Sequence, residues 1–99
     1  MNGHIDVFPV GDAKGWERDP WSGFNDGKFI HGRGTVDMKS GTAALLMAYI
    51  YLYKRKVSLK GKLTLTMVSV EETGGKWGAK WLIENHPKDC RGDVLLMYF

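Results

Sequence analysis

Only one cysteine, Cys90, occurs in 99 residues, so no disulfide can close within the chain, which fits a reducing compartment. No apolar run reaches the roughly 20 residues that a membrane-spanning helix needs. The longest, Ala43 to Tyr53, is interrupted by tyrosines. Met1-Asn2-Gly3-His4 has neither the basic segment nor the apolar core of a signal peptide. Charge of one sign is not in excess either, the formal net charge being +3. The basic residues are scattered except for Lys54-Arg55-Lys56 and Lys60/Lys62. These flank a predicted helix end, where cations complement the helix dipole, and they form no stripe for nucleic acid. Phosphate loops are missing too. There is no Gly-x-x-x-x-Gly-Lys-Ser/Thr run, and Gly32-Arg33-Gly34 lacks the third glycine of a dinucleotide fingerprint. With 43% apolar and 25% charged residues, the expectation is one soluble, cytoplasmic globular unit without nucleic-acid or membrane partners.

What is present alternates between strand and helix patterns. Ile5, Val7 and Val10 predict a short strand starting almost at Met1 and ending at Pro9. Residues 11–27 read as a glycine-rich loop pinned to a core by Trp16 and Trp21. Lys28 to His31 predict a second short strand, closed by Gly32-Arg33-Gly34. A helix is expected from near Lys39 to Lys54, with Asp37 or Ser40 as its N-cap. Leu63 to Val70 alternates and predicts a strand. Lys76 to Asn85 predicts a helix stopped by Pro87, with Trp77 and Trp81 in the core. Asp93 to Phe99 predicts a buried strand. The order implies an α/β fold: a partial, mixed but mostly parallel sheet with flanking helices. A strand opening at Met1 and a helix apolar nearly all round both predict packing partners beyond this chain.

Three polar clusters stand at predicted strand ends, where ligands collect in open α/β folds. His4 and Asp6 are two residues apart, which places both on one face of a strand. Asp6 could then hold one imidazole nitrogen while the other binds a metal, or the pair could be an ordinary hydrogen bond. Asp37 precedes the long helix, as a cap or as a carboxylate bridging two metals. Glu71 and Glu72 close the strand ending at Val70 and can border one site only if the backbone turns, which Gly74-Gly75 would ease. Otherwise they are an acidic strand end near a helix N-terminus. Histidine, aspartate and glutamate are the donor types of a zinc-like centre. His31 and His86 read as a strand residue and a helix-end residue, and Arg91-Gly92-Asp93 as a chance tripeptide.

Taken together, Gly3-His4-Ile5-Asp6-Val7-Phe8-Pro9, Asp19-Pro20-Trp21-Ser22-Gly23, His31-Gly32-Arg33-Gly34, Asp37-Met38-Lys39-Ser40-Gly41 and Glu71-Glu72-Thr73-Gly74 closely resemble the M20 family. This is the group of dinuclear zinc aminoacylases, carboxypeptidases and acetylornithine or succinyl-diaminopimelate deacylases. The resemblance implies a metal-dependent hydrolase of amide bonds acting on small peptides or N-acyl amino acids. It implies His4, Asp37 and Glu72 as metal ligands, with Asp37 bridging two zinc ions and its bond to Met38 cis. It implies Asp6 as the residue orienting His4 and Glu71 as the general base. Cobalt or manganese are alternatives to zinc, and full-length members are often homodimers. Residues 1–99 would be part of the catalytic domain only, without the lid and dimerisation domain. Family members carry a further acidic ligand just past the strand beginning at Asp93, whereas Met97-Tyr98-Phe99 stands there. The expectation is therefore a piece inactive by itself. The rival readings are a non-catalytic fragment or interaction module of the same lineage, or an unrelated small α/β binding domain.

Overall fold

The computed structural model describes residues 1–97. Its strands are β1 (Asn2–His4), β2 (Phe24–Asn25), β3 (Ile30–His31) and β4 (Thr66–Val68), and its helices α1 (Gly41–Lys54), α2 (Trp81–Asn85) and α3 (Pro87–Cys90). β1 runs parallel to β4, with Asn2 opposite Thr66 and His4 opposite Val68. On the other side of β1, Asn2 bridges to Met97 in parallel, its N–H donating to the Leu96 carbonyl at 3.1 Å. β1 thus has a parallel neighbour on each side at Asn2, while at His4 the described pairing is to β4 alone, with α1 packed against the strand. β2 and β3 form a separate antiparallel hairpin, with Asp26 accepting the Lys28 and Phe29 N–H groups across its turn. The architecture is the partial α/β fold expected, with helices flanking a mostly parallel sheet.

Several elements depart from the sequence reading. The first strand begins where expected, next to Met1, but stops at His4 instead of running to Pro9; Ile5 and Phe8 are exposed. Hydrogen bonding to β4 stops with the Ile5 N–H, so the alternation beyond it has nothing to pair with. β4 keeps only three of the eight residues expected, because β1 is equally short. α1 begins at Gly41, and neither candidate cap serves it. Ser40 makes no capping bond to the backbone N–H groups, and Asp37 lies in an irregular turn, Thr35–Ser40, outside helical backbone angles.

The helix expected over residues 76–85 is broken at Gly78, whose missing Cβ leaves room for the Ser69 carbonyl. Pro87 begins α3 rather than closing the region, since proline is tolerated in a first turn. Trp21, Trp77 and Trp81 are exposed instead of forming core. Residues 94–96 are exposed rather than buried, Val94 reaching 85%, and the strand expected there is reduced to the bridge at Met97. The rest of that expectation, Tyr98 and Phe99, lies outside the described residues.

Apart from Pro20, the buried side chains gather where α1 meets β1 and β4. Among the described residues, Met38, Leu45 and Val68 form the apolar core, joined by His4 and Thr42. Beyond its first turns α1 is largely exposed, Met47, Tyr51 and Tyr53 included. The radius of gyration, 16.0 Å, exceeds the roughly 13 Å of a closed domain of about 100 residues. No helix among the described residues is long and apolar enough to cross a membrane.

Candidate metal centre

His4 ends β1 with its ring buried at the rim of the sheet. Its Nδ1 lies 3.0 Å from the backbone carbonyl of Asp6 and 3.4 Å from the Asp6 carboxylate. The closer contact is therefore to main chain, where the sequence reading had expected the side chain. A carbonyl only accepts, so Nδ1 carries the proton. In a neutral ring the remaining nitrogen, Nε2, then presents a lone pair. That nitrogen faces Asp37 Oδ1 at 3.1 Å and Glu71 Oε2 at 3.8 Å.

Asp37 reaches this point from the irregular turn before α1, whose Asp37–Met38 peptide bond is cis. Glu71 and Glu72 follow β4 in a short 3₁₀ turn, Glu71–Thr73. The reversal that brings both acids toward His4 starts at Val70, which takes left-handed backbone angles (φ 63°, ψ 22°). From the sequence, Gly74-Gly75 is the turn expected to do this. Alternating β-formers gave no hint of it, because a β-branched residue seldom adopts positive φ. The Glu72 N–H donates to Asp6 Oδ2 at 3.1 Å, tying the turn to the residue beside the histidine.

Donor atoms of His4, Asp37 and Glu72 lie within 4.8 Å of one another, a span over which three groups can share one ion. Acceptors outnumber donors here. Asp6 Oδ1 is buried without a hydrogen-bond partner. No lysine or arginine forms an ion pair with Asp6, Asp37, Glu71 or Glu72 among the described residues, and the Lys39 ammonium donates to the Ile5 carbonyl. A cation would relieve each of these features, so the donor set fits a metal.

Protonation shows the same imbalance. Burial works to lower the His4 pKa, but the Asp6 carbonyl, the Asp37 carboxylate and the charge of Glu71 outweigh it and hold the ring above its ordinary 6.5. Burial likewise works to raise Asp6, and the backbone N–H groups of Glu72 and Glu71 overcome it, leaving that carboxyl below its ordinary value.

A model of peptidase family M20/M25/M40 matches residues 1–97. The chain belongs to that family. It is 44% identical over 82 residues to a succinyl-diaminopimelate desuccinylase of Nitratiruptor, an overlap covering 83% of this chain and 21% of that protein. It is 41% identical over 88 residues to the Helicobacter hepaticus protein of the same name, covering 87% and 22% respectively. To succinyl-diaminopimelate desuccinylase 2 of Ruegeria it is 36% identical over 98 residues, covering 98% of the chain and 25% of the relative. The chain thus spans about a fifth to a quarter of the length of these curated relatives.

Proposed function

We propose that this chain contributes the first part of the metal-binding half-site of a zinc-dependent N-deacylase that cleaves small N-acyl amino acids. The observation that carries the reading is the convergence of His4, Asp37 and Glu72 around an imidazole nitrogen that has acceptors facing it. Names of the relatives point to an N-succinyl amide as the substrate class.

His4 Nε2 would hold one metal ion and Glu72 the other, with Asp37 shared between the two. When bound, zinc supplies Lewis-acid polarisation of the amide carbonyl. Asp6 fixes the tautomer of His4 through its carbonyl, so that Nε2 is the nitrogen left to coordinate. Glu71 sits beside the same nitrogen, 3.8 Å away, and is half-exposed, which suits a carboxylate that takes a proton from water and delivers it to the leaving amine. Cobalt or manganese would suit the same nitrogen and oxygen donors.

Three donor residues do not complete two zinc sites, since a catalytic zinc takes about three protein ligands. Residues 1–99 are read as one part of a catalytic domain, with the lid and dimerisation domain outside it. The chain alone is therefore expected to bind zinc without turnover, in a cytoplasmic enzyme working as a homodimer. Calorimetric titration with Zn²⁺, run beside an assay of N-succinyl amide hydrolysis, tests this. Failure to bind zinc overturns the metal-site reading. Binding of two ions with turnover keeps that reading and overturns the inactivity of the isolated chain.

A further inference from the structure

β1 uses one edge to pair with β4 and offers the other to residues 96–97, and among the described residues that second pairing reaches only Asn2. Two residues further on, the outward N–H and C=O of His4 pair with no strand among the described residues. Both are buried with His4, and a buried backbone group without a partner is strongly disfavoured. Side chains take the place of the strand. The His4 N–H donates to Met38 Sδ at 3.3 Å, and the His4 carbonyl accepts from Thr42 Oγ1 at 2.9 Å. Thr42 is itself buried, on the first turn of α1. The approach is close enough that a Cβ at Gly3 would lie 2.7 Å from Thr42 Oγ1 and 3.3 Å from Met38 Cε.

We propose that Thr42 is a positioning residue for His4. Its hydroxyl clamps the main chain of the histidine to α1, so the imidazole is held at the meeting point of Asp37 and Glu72. The clamp joins the helix following Asp37 directly to the strand bearing His4, and so fixes two donors of the cluster relative to each other. The hydroxyl is the part that matters. Valine has the same shape but cannot donate, and serine donates without the methyl group. This inference rests on the metal-site reading for its consequence, though the clamp can be observed without metal.

The test uses Thr42→Val and Thr42→Ser in the full chain. Zn²⁺ affinity by calorimetry is expected to fall roughly tenfold or more in Thr42→Val, the scale typical of groups that orient a ligand, and to return in Thr42→Ser. In the metal-free protein, the ¹⁵N resonances of the His4 ring are expected to move in Thr42→Val and to return in Thr42→Ser. Unchanged zinc affinity in a folded Thr42→Val chain overturns the proposal. If the unsubstituted chain binds no zinc, the metal-site reading fails, and the metal-free resonances decide the clamp: unmoved His4 signals overturn it. Should Thr42→Val not fold, the unsubstituted chain still decides. A Thr42 hydroxyl proton protected from exchange with water supports the clamp, and one exchanging freely overturns it.

Discussion

Two of the three histidines lie within hydrogen-bonding distance of an aspartate carboxylate, and they are built in opposite ways. On the hairpin, the exposed His31 places Nε2 2.7 Å from Asp26 Oδ2, and the other oxygen of Asp26 accepts the N–H groups of Lys28 and Phe29. Every acceptor there has its donor. At His4 the contact to Asp37 is longer, 3.1 Å, while Glu71 crowds the same nitrogen and Asp6 Oδ1 accepts no hydrogen bond. The tighter pair locks a turn, and the looser one is surrounded by oxygens that still need a positive charge. Capacity for a ligand follows unmet acceptors around a buried ring, rather than a short histidine–carboxylate distance.

His4→Ala against His31→Ala is the most severe way to break this contrast. His4→Ala is expected to abolish Zn²⁺ binding in calorimetry, and His31→Ala to leave it unchanged. Equal losses would erase the distinction. Glycines give the next largest effect. Gly3→Ala drives a Cβ against Thr42 and Met38 and should cost about 1–3 kcal/mol in urea unfolding, as overpacking does. Gly27→Ala, in the hairpin at φ 92°, meets nothing within 4 Å and should cost about 1 kcal/mol for left-handed backbone alone.

Acid distinguishes the hairpin more gently. The His31 side chain, then the N–H groups of Phe29 and Lys28, hold Asp26 at a pKa of about 2, below its ordinary 3.8. A carboxyl depressed on folding contributes stability that is fully present above 3.8 and is lost as the pH falls through about 2. A ¹³C titration of the Asp26 carboxyl should therefore find its midpoint near 2, and a midpoint at the ordinary value would remove the electrostatic part of the comparison. The smallest effect belongs to the exposed helical pair Lys80–Glu84, 3.8 Å apart. Lys80→Ala should change stability by less than about 0.5 kcal/mol.

Much of the site was readable in the sequence because its residues stand where strands give way to helices. His4, Asp37 and the two glutamates could be named as neighbours from residue type and chain order, and the structure brings them together. What stayed hidden depends on events that a pattern of apolar residues does not encode. Leu63 to Val70 alternates through its whole length, yet only Thr66–Val68 pairs, because the length of a strand is set by its neighbour. Trp77 and Trp81 have helical spacing, and spacing states which way a side chain faces without stating whether anything lies there. Thr42 had one trace, a hydroxyl at the buried start of an otherwise apolar helix.

Val70 carries a consequence of its own. A valine twisted into a left-handed bend sits about 1–2 kcal/mol above its relaxed shape, and the two acids of the site hang from that bend. Glycine would occupy the same angles without the penalty, so Val70→Gly should melt later. It would also loosen the hinge, giving a hardier chain whose glutamates swing more freely.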